Sequence, residues 1–311
     1  MIAVEDIAYV RVDAPDLGAQ EAFLTDFGMQ TVLRTEDVLY MRGYGTQPVI
    51  HVTHLRHDGF TNGLGLIASS HADLETASRD LGLPIEANDE PGGGQVIRAI
   101  DPAGYRVDIL FRPPVEPLPV RSVMPANVGG DRDGYTRRNQ KVRLAAGPSH
   151  VLRTGHVVMK APDCDASYAW YARHFNLRVS DSVHVPGQPE RNMMIFANCG
   201  LGARYRDHHT IAFLGVPVPG FDHSAYEVID WDDVMVGNAH LAAAEYEHSL
   251  GVGRHVGGSM VFDYWRDVGG NKIEHWCDGD RVNDGYEASH VPMGAEPIAV
   301  WGPEVTPAFF A

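Results

Sequence analysis

The chain has 311 residues, 44% of them hydrophobic, and a formal charge of −16. That suits one large or two ordinary globular domains and argues against a nucleic-acid or anionic-membrane partner. No run of about 18 apolar residues marks a membrane span, and Met1-Ile2-Ala3-Val4-Glu5-Asp6 lacks the basic and apolar regions of a signal peptide.

Ile7 to Val12 alternates as a strand does and ends at Pro15-Asp16. Asp16 is the expected N-cap of a helix running to about Phe27 and closed by Gly28. Strands are expected at Val38 to Met41, Val49 to Thr53 and Leu64 to Ala68, then a helix from Ala72 to Leu81. Val96 to Ile100, a turn at Asp101-Pro102-Ala103-Gly104 and a strand Tyr105 to Phe111 complete this half. Pro113 to Ser149 is rich in Pro, Gly, Arg and Asp and reads as a linker or surface arm.

The same grammar then recurs. Gly155 to Lys160 is a strand ending at Pro162-Asp163, and a helix follows to Phe175. Strands are expected at Leu177 to Val185, Asn192 to Ala197, Thr210 to Leu214 and His223 to Val228. A helix starts near Asp232-Asp233 and runs through Glu247; Met260 to Asp263 and Lys272 to Cys277 are the closing strands. Trp301 and Phe309-Phe310 in the tail are expected to pack on the body or on a partner subunit, so a homo-oligomer is anticipated. The chain thus reads as an internal duplication of about 150 residues, with residues 1–145 as one half, including the linker from about 113, and 146–311 as the other. Cys164, Cys199 and Cys277 are scattered, with no Cys-x-x-Cys, so neither a disulfide framework nor a thiolate zinc site is indicated and a cytoplasmic location is expected.

Glu274 lies in an apolar strand between Ile273 and Trp276, where a carboxylate is costly without a partner. A metal ion held with His156 and His223 would meet that need. Two imidazoles and one carboxylate are the set that holds ferrous iron on one face. The alternative is that both histidines are satisfied within the sheet and Glu274 pairs with Lys272 or Arg266. Superposing the two halves by their turns sets Tyr9 opposite His156, Gly63 opposite His223 and Asp108 opposite Glu274. Gly63 has no ligand atom, so a single site in the second half is expected, with the first half structural. His208-His209 before Thr210-Ile211-Ala212-Phe213, Arg254-His255 after a Gly-x-Gly turn, and Tyr264 could move protons or donate to an oxyanion. Taken singly, His208, His240 and His248 read better as ordinary surface residues.

Taken together, these segments resemble the type I extradiol ring-cleaving dioxygenases of the vicinal oxygen chelate superfamily. The resemblance runs through Gly155-His156-Val157-Val158, Asp207 to Phe213, Asp222 to Val228, Gly253-Arg254-His255, Tyr264 and Gly270 to Glu274. It implies an α+β fold of tandem βαβββ modules, each half a partly open mixed barrel. It implies a catechol-type substrate, dioxygen, and one Fe(II), with Mn(II) as the alternative, in the C-terminal half. His156, His223 and Glu274 would be the ligands. His209, chosen over His208, would be the acid/base, and His255 and Tyr264 would hydrogen-bond the substrate oxygens and dioxygen. The product would be a ring-opened hydroxy-semialdehyde or keto-acid.

Three departures stand out. Asp267-Val268-Gly269-Gly270 replaces the usual Asp-Pro-x-Gly turn, Val158 lies where some relatives are polar, and Leu250 lies where certain relatives carry an Arg for a substrate carboxylate. An uncharged substituent on the diol follows. The rival readings are a glyoxalase-like metal-dependent lyase or isomerase, and a non-catalytic protein that binds small aromatic molecules.

Overall fold

The computed structural model describes residues 2–123, 125–127, 129–130 and 133–310. The first half contains β1 (Val4–Ala14), α1 (Leu17–Asp26), β2 (Gln30–Arg34), β3 (Val38–Arg42), β4 (His51–Leu55), β5 (Gly63–Ala68), α2 (His71–Leu81), β6 (Glu86–Ala87), β7 (Gln95–Ile100) and β8 (Arg106–Phe111). The second half opens with β9 (Arg153–Ala161), α3 (Cys164–His174), β10 (Leu177–Val185), β11 (Gln188–Cys199), β12 (Arg206–Asp207), β13 (Ile211–Gly215), β14 (Gly220–Glu227) and α4 (Trp231–Ala243). It closes with β15 (His248–His255), β16 (Val261–Arg266), β17 (Lys272–Cys277), β18 (Arg281–Val282), β19 (Ser289–Pro292), β20 (Ala299–Trp301) and a short 3-10 turn, Pro307–Phe310. Aspartates cap three of the four helices; the Asp16 side chain, for example, accepts from the Gly18 and Ala19 N–H groups.

The duplication is visible in the ladders. One sheet runs β2-β3-β4-β1-β5-β8-β7-β6 and the other β19-β10-β11-β13-β9-β14-β17-β16-β15-β20. In each, a central strand has a parallel neighbour on one side and an antiparallel neighbour on the other, and the latter leads to a second parallel pair. Few helices cover two sheet-rich halves, an α+β arrangement, and neither sheet closes into a barrel among the described residues.

The halves share one core. Phe27 stacks on His275 at 3.6 Å, and the His275 Nε2–H donates to the Phe27 carbonyl at 2.6 Å. His51 is hydrogen-bonded to the Tyr226 hydroxyl at 2.6 Å, and Gln20 donates to Asp267 at 2.8 Å. This last contact anchors the turn before β17. Residues 113–149 carry no helix or strand among those described, as the composition suggested. No helix among the described residues is long and apolar enough to cross a membrane.

The structure corrects the expected outline in three places. The helix placed through Glu247 ends at Ala243, because Glu245 takes a left-handed φ of 60°. His248 to His255 then forms β15, whose Gly251 and Gly253 mimic a turn in sequence, yet it is laddered to β16 and β20. So His255 ends a strand instead of following a turn. β2 lacks a buried alternation, with four of its five residues exposed, so periodicity does not reveal it.

Candidate metal centre

Three neighbouring strands, β9, β14 and β17, place the candidate ligands. Ala225 of β14 pairs with His156 on one side and Glu274 on the other, and His223 precedes Ala225 by two. Side chains two apart share a face, so the register aims all three at one point. His156 Nε2 and His223 Nε2 lie 3.3 Å apart, and they lie 3.3 and 3.4 Å from Glu274 Oε2. The shape requires Gly155 beside His156: a Cβ there would stand 2.4 Å from the Trp276 indole.

These donors fit a divalent cation. Metal–nitrogen bonds of about 2.1 Å at right angles span roughly 3 Å, close to the observed edges. Glu274 is fully buried, and neither of its carboxylate oxygens has a hydrogen-bond partner among the described residues. A carboxylate so placed calls for a cation. His223 is held from behind, its Nδ1–H donating to Asp222 at 2.9 Å, which leaves Nε2 with its lone pair toward the centre. Asp222 also takes the buried Lys272 ammonium at 3.0 Å, and Lys272 donates to the Phe309 carbonyl at 2.8 Å. Burial alone would raise the Asp222 pKa, but His223 and Lys272 outweigh it and hold the group well below the carboxylate range. Burial raises Glu274, opposed by the neighbouring His223 and His255. Burial pushes His156 far down, which keeps its imidazole neutral and able to ligate.

The other named residues ring this point. His209 packs its ring 4.2 Å from that of His156, and burial pushes its pKa well down. His255 donates from Nδ1 to the Ile298 carbonyl at 3.2 Å and accepts the Tyr264 hydroxyl on Nε2 at 2.8 Å. Tyr264 packs edge-on to His223 at 5.1 Å. Of the histidines read as surface residues, His208 is only 2% exposed and lies behind His209. His240 and His248 lie off the site, paired with Asp26 and Asp263. Lys272 and Arg266 do not neutralise Glu274; Lys272 pairs with Asp222 and Arg266 faces Glu247.

The first half bears out the superposition. Tyr9 pairs with Gly65, and Gly65 with Asp108, so Tyr9, Gly63 and Asp108 occupy the positions of His156, His223 and Glu274. There the carboxylate is satisfied from within. Asp108 Oδ2 accepts from the Tyr9 hydroxyl at 2.8 Å and Arg11 Nε at 3.1 Å, and Oδ1 accepts from Arg106 Nε at 2.9 Å.

Sequence reading missed Asp222, Lys272, Asp181 and Phe309. Asp222 and Lys272 had a signal, since each lies within two residues of a named ligand. Asp181 and Phe309 lie far from any motif, and only the fold brings them in.

Residues 153–275 match the family model described as the Glyoxalase/Bleomycin resistance protein/Dioxygenase superfamily. Metapyrocatechase 2 of Cupriavidus necator is 28% identical, with 99% of this chain and 92% of that protein covered. The iron-dependent extradiol dioxygenase of Rhodococcus jostii is 26% identical, with 97% of each covered. Among solved structures, homoprotocatechuate 2,3-dioxygenase of Brevibacterium fuscum with 3,4-dihydroxyphenylacetate aligns with a TM-score of 0.77 at 18% identity, over 99% of this chain and 92% of that one. The Mn(II)-bound glyoxalase of Novosphingobium aromaticivorans aligns at 0.73 and 22%, over 100% and 98%. The fold, the matched second half and the full-length relatives point the same way: residues 153–275 carry a match to the glyoxalase/bleomycin resistance protein/dioxygenase superfamily, and the whole chain is similar to extradiol dioxygenases.

Proposed function

We propose that the protein is an extradiol ring-cleaving dioxygenase that opens a catechol-type diol with dioxygen, using one Fe(II) held by His156, His223 and Glu274. The observation that carries this is the buried, unpartnered Glu274 carboxylate with two imidazole nitrogens at 3.3 and 3.4 Å. The full-length likeness to a metapyrocatechase and an iron-dependent extradiol dioxygenase supports the reaction class and favours iron over manganese. When bound, the ferrous ion supplies adjacent open positions for the diol and dioxygen, and a route for electrons from ring to dioxygen.

The chain's own groups do the rest. Tyr264 and His255, joined at 2.8 Å, exchange that bond for the diol oxygens when the substrate enters, the Tyr264 hydroxyl as donor and the freed His255 Nε2 as acceptor, so that a proton can leave the substrate. His209, on the side of His156, accepts a proton of the diol on its open nitrogen and returns it to the reduced oxygen. Burial of Tyr264 and His209, with His255 half-buried beside them, limits bulk water and strengthens their electrostatic action. Leu250 packs with Phe262, Tyr264 and Phe309, and Val158 is buried beside His223. That apolar wall supports an uncharged substituent on the diol. Residues 1–145 serve as a metal-free scaffold half and 146–311 as the catalytic half, in a homo-oligomer.

The likeness to a Mn(II)-bound glyoxalase leaves a lyase or isomerase as the second reading. It is disfavoured because Asp108 is already tied to Tyr9, Arg11 and Arg106, so the first half has no carboxylate to lend. The test is anaerobic Fe(II) loading, then oxygen and a panel of catechols, following oxygen uptake and absorbance of a ring-opened product. Oxygen consumed in step with an alkyl or aryl catechol is expected. No uptake by the iron-loaded chain with any diol refutes the proposal, and preference for an acid-bearing catechol refutes the substituent assignment.

A further inference from the structure

Behind His209 lies a chain of hydrogen bonds that no metal ligand uses. His208 Nε2 stands 2.7 Å from Asp181 Oδ2, and His208 Nδ1 stands 3.2 Å from His209 Nδ1. With both imidazoles neutral, a single assignment of protons satisfies this chain. A carboxylate only accepts, so His208 must donate from Nε2, and a neutral imidazole then keeps a lone pair on Nδ1. His209 must therefore donate from its own Nδ1, which leaves its Nε2 unprotonated. No described residue takes up that Nε2.

The arrangement is built to hold still. The Ser289 N–H donates to Asp181 Oδ1 at 2.7 Å, and the Tyr286 hydroxyl donates to Oδ2 at 3.4 Å. His208 is 2% exposed, its carbonyl accepts the Ser180 hydroxyl, and its N–H donates to the Asp280 carbonyl at 3.1 Å.

We infer that Asp181 and His208 are positioning residues that fix His209 in the tautomer with Nδ1 protonated and Nε2 open to the reaction. This deepens the dioxygenase reading and rests on it for the role of His209. A carboxylate that sets an imidazole's tautomer at a distance is a known device of acid–base sites. The same geometry separates the two adjacent histidines: His209 meets the substrate side, and His208 acts only through it.

Asp181→Asn gives a sharp test. The Ser289 N–H still requires an oxygen, so the new amide must turn its NH2 toward His208 Nε2. His208 then carries its proton on Nδ1, and His209 must accept there and carry its own on Nε2. The tautomers of both rings invert with almost no change of shape.

The experiment is long-range proton–nitrogen NMR of histidine-labelled, metal-free protein, which reads each ring's tautomer without turnover. Steady-state kinetics of the iron-loaded protein accompany it. The wild type should show His209 protonated at Nδ1, and Asp181→Asn should show it at Nε2. In the variant kcat should fall at least about tenfold and by no more than the roughly 10²–10⁴ that positioned acid–base groups supply. KM for the diol and iron affinity should not change. A wild-type His209 protonated at Nε2 overturns the inference, as does an Asp181→Asn protein with the wild-type tautomer or full kcat. Should Asp181→Asn not fold, His208→Phe decides: it removes the acceptor, so a His209 still locked with Nδ1 protonated overturns the inference, and loss of that single tautomer supports it. If the wild type opens no diol, the dioxygenase reading fails, while the NMR readout still decides the hydrogen-bond chain.

Discussion

Lys272→Met is the most informative perturbation of the centre that leaves every proposed ligand in place. The Lys272–Asp222 pair is buried, with side chains 3% and 9% exposed at 3.0 Å. Removing one partner of a buried pair costs about 3–5 kcal/mol, because the other charge is left without compensation. Lys160 stands 3.9 Å from Asp222 Oδ1, and the His223 Nδ1–H remains on Oδ2, so the lower end, about 3 kcal/mol, is expected. The Phe309 carbonyl loses its ammonium donor as well. Asp222 is then free to swing toward Lys160 and release His223, and loss of such support behind a ligand costs about 10–100-fold in metal affinity. The assays are urea unfolding of the metal-free chain and anaerobic Fe(II) or Mn(II) titration. In the double variant Lys272→Met/Asp222→Asn the stranded charge is gone, and an amide oxygen can still accept from His223. Its stability should return to within about 1 kcal/mol of wild type. A single variant as stable as wild type, with unchanged metal affinity, would show that Lys272 does not hold Asp222 and refute the reasoning.

His223→Ala should abolish metal binding and oxygen uptake together while the chain stays folded, as measured by metal content and circular dichroism. His209→Ala should keep the metal and slow oxygen uptake by roughly 10²–10⁴; full activity would remove its assigned role. Gly155→Ala puts a Cβ 2.4 Å from the Trp276 indole, so an overpacking cost of about 1–3 kcal/mol in urea unfolding is expected. His51 is buried between the halves and its pKa is pushed down to about 3 by burial. Its neutral form is the folded one, so its contribution is complete above pH 6.5 and is lost as pH falls toward 3. Wild type should lose roughly 2.3 kcal/mol more than His51→Gln between pH 6.5 and 4.5, the slope rising toward about 1.4 kcal/mol per pH unit as the unfolded imidazole becomes fully protonated. Parallel pH slopes for the two proteins would refute that assignment.

The repeated grammar of strand, Pro-Asp turn and helix was legible because caps and periodicity are local. The correspondence of Tyr9, Gly63 and Asp108 with His156, His223 and Glu274 was legible for the same reason, and the ladders reproduce it residue for residue. What escaped is non-local. β15 reads as a glycine turn until β16 and β20 pair with it. His208 reads as a surface residue until the fold brings Asp181 against it from 27 positions away.

The two halves are in effect an internal control. Asp108 and Glu274 occupy the same place in the same ladder, and each is fully buried. One is surrounded by Arg11, Arg106 and Tyr9, with Arg11 in turn tied to Glu90. The other has two imidazole nitrogens at 3.3 and 3.4 Å and no hydrogen-bond partner for either oxygen among the described residues. Burying a bare carboxylate costs several kcal/mol, so each position must obtain a cation. In the first half the chain supplies a guanidinium, and the position is thereby closed to any ligand. In the second half Val158 occupies the place of Arg11, two residues past His156 on β9, and brings no charge to that space, which the proposed metal ion would supply. The difference between the proposed scaffold half and the proposed catalytic half is therefore a difference in where the compensating positive charge comes from.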